Sequence, residues 1–182
     1  MRKGILVIVL FFAISYIVDA QEIKWYSFEE AVALSKEKPK KLLIDIYTDW
    51  CGWCKKMDAD AYSNQHLVDY INKNYYAVKF NAEQKEDIEF SDHTFKFLVN
   101  GRRGVHELAI ALTNNKLSYP TTVFMDEEFR IIQPIAGYMT AKDMAPILAY
   151  FGENKYTDTS WSEFQKDYKN PVSLSAKNSS VN

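Results

Sequence analysis

Both cysteines of this chain lie in one short stretch, Trp50-Cys51-Gly52-Trp53-Cys54-Lys55. An apolar strand pattern, Leu42-Leu43-Ile44-Asp45-Ile46-Tyr47, runs into it, and a helical pattern from Lys55 leads away. Residues i and i+3 of a helical turn share a face, with Cα atoms about 5–6 Å apart, within reach of a disulfide. Two thiols so placed can exchange disulfides reversibly. A free thiol of pKa about 8.5 is only about 3 % thiolate at pH 7. The unpaired N–H groups and positive dipole end of a helix favour an anion by up to about 2 kcal/mol, enough to make the first thiol about half thiolate. Cys51 is therefore the expected nucleophile, exposed at the helix start. Cys54, one turn further in and shielded, is the expected resolving thiol. A fixed disulfide and half of a zinc site are the other uses of such a pair. A structural zinc site usually takes four ligands, and no second cysteine pair or His-x₃₋₅-His accompanies this one. His66, His93 and His106 are scattered and read as surface or packing residues.

The elements around this stretch read as an alternating α/β chain. Ser27-Phe28-Glu29-Glu30 is a capping box opening a helix that stops before Pro39. Lys41 to Tyr47 is apolar enough for a central strand buried on both faces. The cysteine helix is expected to run to about Tyr62, followed by a helix from about Gln65 to Asn74 and a strand from Tyr75 to Asn81. Ile88-Glu89-Phe90 and Thr94 to Leu98 read as a hairpin around Ser91-Asp92-His93. Arg102 to Leu112 fits a helix with Val105, Leu108, Ala109 and Leu112 on one face. Two strands follow, Thr121 to Met125 and Arg130 to Ile135, and Gly137 breaks the chain. Thr140 and Asp143 cap a last core helix to about Phe151. Trp161 to Tyr168 fits a short helix, and the polar tail from Asn170 is expected to be disordered. The fold class is α/β, a central mixed sheet flanked by helices.

The N-terminus has the pattern of a secretory signal peptide: basic Arg2-Lys3, uncharged apolar Ile5 to Val18, and Val18-Asp19-Ala20 before Gln21. The apolar stretch is shorter than the roughly 20 residues a membrane span needs. Cleavage after Ala20 would leave residues 21–182 exported, periplasmic or extracellular, with no stable membrane insertion. That length supports one ordinary core without disulfide staples, so the cysteine pair is free for exchange. The net charge of −2 offers nucleic acid nothing. Gly101-Arg102-Arg103-Gly104 lacks the spacing of a dinucleotide-binding loop, and no bound cofactor or metal is implied beyond the Cys51–Cys54 pair itself.

The block from Leu43 to Lys55, together with Tyr119-Pro120-Thr121-Thr122-Val123-Phe124 and Gly137, resembles the thioredoxin superfamily, in particular its exported thioredoxin-like branch. The likeness covers roughly Trp25 to Phe151. It also resembles the thioredoxin-like domain of bacterial transmembrane electron-transfer proteins, where an aspartate-tryptophan pair precedes the first cysteine. The resemblance implies a thioredoxin-like domain over 21–152, with an inserted hairpin and helix at about 82–118 before the proline loop, and a C-terminal extension over 153–182. It implies that Asp45, on a buried strand where desolvation raises a carboxyl pKa, takes the proton of Cys54. Lys79 resembles the lysine that approaches this acid. By the same likeness, Pro120 follows a cis peptide bond, its loop lies against the disulfide, and the Tyr119 backbone pairs with a substrate strand. Trp50, Gly52 and Trp53 are the expected rim for a target peptide.

Three features depart from the family pattern: Trp53 replaces a common proline, Tyr119 replaces an aliphatic residue, and the segment 82–118 is long. That segment either recognises partners or decorates the sheet. The expected activity is thiol–disulfide exchange with protein substrates, with an outside redox partner recycling the site. A non-catalytic peptide-binding or chaperone module is the alternative, and copper or zinc handling by the dithiol a third.

Overall fold

The computed structural model describes residues 21–100 and 103–172. The expected signal peptide, residues 1–20, and most of the polar tail lie outside these residues. Five strands form the central sheet: β1 (Trp25–Tyr26), β2 (Lys41–Tyr47), β3 (Tyr75–Asn81), β8 (Thr121–Met125) and β9 (Ile131–Ala136), in the order β1-β3-β2-β8-β9. β2 runs parallel to β3 and antiparallel to β8, so the sheet is mixed, as expected. β2 is central, and its residues 41–46 are all buried.

Strand side chains alternate between faces, and the two cores follow that alternation. Leu42, Ile44 and Ile46 of β2, with Val78 and Phe80 of β3, pack beneath α1 (Phe28–Glu37) and α4 (Glu107–Leu112). Leu43, Tyr75, Ala77 and Phe124 face the other way. They pack against α2 (Gly52–Asp60), α3 (Gln65–Asn74) and α5 (Ala141–Gly152) through Met57, Leu67, Ile71, Met144 and Leu148. Asp45 and Lys79 share parity with Leu43 and Ala77. The only charged pair opposed in the β2–β3 register therefore faces the side of the cysteine helix. Capping boxes at Ser27 and at Thr140 start α1 and α5 as read from sequence.

The inserted segment departs from the expectation. A hairpin and a helix from Arg102 are replaced by two hairpins and a short helix. β4 (Ile88–Phe90) pairs with β5 (His93–Phe95), and β6 (Phe97–Asn100) pairs with β7 (Arg103–His106) before α4 begins at Glu107. Gly104 explains the difference. Glycine is a poor helix former, and here a Cβ would stand 2.3 Å from the Phe97 ring, so the ladder requires the bare backbone.

The C-terminal extension is a 3₁₀ turn (Lys155–Thr157) and α6 (Trp161–Asp167). It packs on α5 through Tyr150, with Trp161 and Phe164 at ring distances of 5.1 and 5.2 Å. Asn170 donates to the Lys142 carbonyl and Val172 packs on the core, so the ordered chain runs past the expected start of the tail.

Candidate active site

Cys51 is the N-cap of α2, and its Sγ accepts the Cys54 amide N–H at 3.0 Å. The pair is joined as a disulfide with Cα atoms 5.3 Å apart. Contrary to the expected exposure of Cys51, both residues are buried, at 5 % for Cys51 and 2 % for Cys54. In the bonded state Sγ of Cys51 is turned toward Sγ of Cys54. A sulfur exchanging with this pair has to approach along the exposed rim of the turn.

That rim is aromatic. Trp50 and Trp53 are 54 % and 59 % exposed. Trp50 Nε1 donates to Glu83 Oε1 at 3.0 Å, and its ring meets Tyr119 edge-on at 5.8 Å. The Arg103 guanidinium stands 4.9 Å from the centre of the same indole. Trp53 leans on Tyr138 at 5.3 Å, and Tyr138 is held by Asp60 and Lys56. A Cβ on Gly52 would meet nothing within 4 Å, leaving open space directly over the turn.

The Tyr119–Pro120 peptide bond is cis, as the resemblance implied. The Pro120 carbonyl accepts the Gly137 amide at 2.8 Å, and Gly137 sits at φ +102°, a conformation that favours glycine. This bond ties the proline loop to the end of β9.

Behind the cysteine helix the chemistry is ionic. Asp45 is fully buried, and its Oδ2 accepts from Lys79 Nζ at 2.6 Å. Its Oδ1 has no hydrogen-bond partner among the described residues. Burial pushes the Asp45 carboxyl up to about 6 against the attraction and hydrogen bond of Lys79, and the nearby Asp58 charge adds to the rise. Lys79 also donates to Asp58 on α2, whose side chain is 45 % exposed. Burial alone would lower the Lys79 ammonium, but the two carboxylates hold it above its ordinary value. Three rings, Trp25, Tyr47 and Tyr62, enclose Nζ at 5.1–5.4 Å, placing the cation over their electron-rich faces. A carboxylate that titrates near neutrality with a free acceptor oxygen is suited to take a proton.

The structure thus brings Trp50, Cys51, Gly52, Trp53 and Cys54 together in one turn, sets Tyr119 of the cis-proline loop against Trp50, and pairs Asp45 with Lys79 on the α2 side of the sheet. Sequence reasoning missed Asp58, Glu83, Arg103 and Tyr138. Asp58 lies four residues after Cys54, one helical turn along the same face, and that spacing was readable. Arg103 was hidden by the helix expected over its segment.

The family model Thioredox_DsbH, described as a protein of unknown function (DUF255), matches residues 14–145. An uncharacterized protein of Archaeoglobus fulgidus is 37 % identical over 62 residues, 34 % of this chain and 49 % of that one. The thioredoxin-like protein YneN of Bacillus subtilis is 30 % identical over 123 residues, covering 63 % and 67 % of the two chains. Among solved structures, a thioredoxin-fold protein from Helicobacter pylori superposes with a TM-score of 0.54. It is 22 % identical, over 70 % of this chain and 78 % of that one, a likeness of fold. The chain spans about half the length of the archaeal relative and much smaller shares of longer animal ones.

Proposed function

This chain belongs to the Thioredox_DsbH family and has the thioredoxin-like fold, and from that premise we propose that it is an exported thiol–disulfide oxidoreductase acting on proteins. The observation that carries the reading is the Cys51–Cys54 disulfide, capping α2 with the cis Tyr119–Pro120 loop and the buried Asp45 in place. In the reduced protein the Cys51 thiolate attacks one sulfur of a client disulfide. The client bond breaks, a Cys51–client disulfide forms, and the other client sulfur leaves as a thiolate. Asp45 then accepts the Cys54 proton, and the Cys54 thiolate attacks Cys51 Sγ. The mixed disulfide breaks, the second client thiolate is released, and Cys51–Cys54 is oxidised.

Two electrons pass from the dithiol to the client. The same steps reversed oxidise a client dithiol. An external thiol partner restores the starting state, since the chain has no further cysteine. Lys79 supports Asp45 in this scheme, while Trp50, Gly52, Trp53 and Tyr119 receive the client. Export rests on the basic-apolar-small pattern of residues 1–20, and periplasmic or extracellular placement follows from it.

The test is insulin reduction with dithiothreitol as the recycling thiol. Wild type should accelerate precipitation of the insulin chains, and Cys51→Ser should fall to the dithiothreitol background. Equal rates for the two would replace the enzymatic reading with that of a peptide-binding module.

A further inference from the structure

The large apolar side chains exposed among the described residues are concentrated. They are Trp50, Trp53, Leu98, Val99 and Leu117. Single exposed apolar residues are ordinary, but these fall on three segments only: the cysteine turn, strand β6, and the loop two residues before Tyr119. Val99 is the most exposed, at 78 %. The first holds the disulfide, and the last reaches the turn through the Tyr119–Trp50 ring contact. The other belongs to the inserted β6–β7 hairpin, which the thiol chemistry above does not use.

The hairpin is joined to the site and firmly rooted. Arg103 of β7 covers the Trp50 indole, next in sequence to Cys51. Leu98 pairs with Val105, and Val105 shares a face with Arg103, so Leu98 lies on the same face as the arginine. Val99 lies on the opposite face, across from Gly104. At the base, His106 is fully buried. Its backbone N–H donates to Ala82 O at 2.7 Å, its Nε2 bonds Glu86 O at 3.0 Å, and its Nδ1 accepts the Leu108 amide. The Glu107 N–H donates to Lys96 O. An element anchored at its base, with apolar residues at its tip, is built to present them.

We infer that the β6–β7 hairpin is a client-recognition wall: Arg103 fixes the Trp50 indole, and Leu98, on the same face of the hairpin, extends that rim to receive an apolar, extended stretch of the client polypeptide beside the cysteine being exchanged. The inference rests on the oxidoreductase reading and supplies its substrate class. Two observations select this occupant. The disulfide is buried while Trp50 and Trp53 beside it are exposed, so the residues flanking a client sulfur meet the rim as it arrives. The two charged side chains that contact the indole, Arg103 and Glu83, are of opposite sign and both engaged by Trp50, which favours an apolar over a charged peptide there.

The experiment compares a protein disulfide, insulin, with a small one, hydroxyethyl disulfide, using wild type, Arg103→Ala and Leu98→Asp. Both substitutions are on the surface, and small-disulfide turnover reports that the site is folded. The ratio of insulin to small-disulfide kcat/KM should fall about fivefold to tenfold in each variant, a loss typical of an interface contact. The loss should reside in KM for insulin. A ratio that stays at the wild-type value in both variants overturns the hairpin's role and leaves the oxidoreductase reading standing. Wild type that reduces neither substrate overturns that reading and the inference with it.

Discussion

On one side of the disulfide the molecule is open and aromatic, while on the other it is sealed and ionic. Trp53 is 59 % exposed and Trp50 54 %, whereas Asp45, on the strand leading into the same turn, is fully buried. Each exposed contact is worth little, because water competes for it and salt screens it. A charge in the sealed region is felt strongly, because nothing but Lys79 and the orientation of nearby groups compensates it. On the proposed reading, the rim selects which client stays and the buried acid sets how its sulfur is released. Substitutions on the rim should change affinity by modest factors. Substitutions beneath it should change chemistry, pH response and stability together.

The largest expected effect belongs to the bond between the two regions. Cys54→Ser should accumulate mixed disulfides with client proteins, since attack still occurs and resolution does not, and Cys51→Ser should trap almost none. Non-reducing electrophoresis after thiol quenching reads both. Trapping through Cys51→Ser instead would reverse the roles of the two thiols.

Next is Asp45→Asn, for which opposite changes in activity and stability are expected. Removing the base should slow client release at pH 7 by about 10²-fold, the lower part of the range for general-base catalysis. Stability should rise. The folded-state pKa of about 6 lies above the ordinary 3.8, so folding favours the neutral carboxyl. That contribution is complete below about pH 4 and is lost as pH rises through 6. The difference corresponds to about 3 kcal/mol, which wild type forgoes at pH 8 and an amide does not. Urea unfolding of the oxidised proteins should show Asp45→Asn the more stable at pH 8, with the gap closing toward pH 4. A constant gap across that range would mean that Asp45 does not titrate between the two limits, and the contrast between sealed and open regions would lose its energetic basis.

Most of this contrast was legible in the sequence. The Cys-Gly-Trp-Cys turn between a continuous apolar strand and a helical pattern specified where the thiols sit, and the odd polar residue in that strand marked Asp45. Lys79 was matched to it through the family resemblance, and the register shows the physical basis, since both count by twos from apolar neighbours that face α2. The hairpins were harder. β6 and β7 are four residues each, and the apolar spacing of Val105, Leu108 and Leu112 imitates a helix. Gly104 was the available signal, because a glycine at that point disfavours helix and admits the Phe97 ring. β1, two residues long, carries too little pattern to be seen. The burial of Cys51 is a property of the closed turn and its neighbours, which local sequence does not encode.

The smallest expected effect tests whether the sealed region is truly isolated from the surface. Asp58 is the exception to the division: it is 45 % exposed, yet it shares Lys79 with Asp45. Its charge raises the Asp45 pKa directly, and its hold on Lys79 draws part of the ammonium away from the buried carboxylate. Removing it acts in one direction by both routes. In Asp58→Asn the whole cation is available to Asp45, the ionised form is favoured, and the titration midpoint should fall by about half a unit to one unit. Exposure of Asp58 to solvent limits the size of the shift and should make it smaller at high salt. The Asp45 carboxyl carbon, followed by NMR titration of the oxidised protein, reports the midpoint without any turnover. The acid limb of client release should move with it, and Asp58→Glu should keep the wild-type midpoint. A midpoint that stays put would leave Asp45 governed by burial alone. A lowered one would show that a surface residue, acting through Lys79, helps to set the proton affinity of a group that water does not reach.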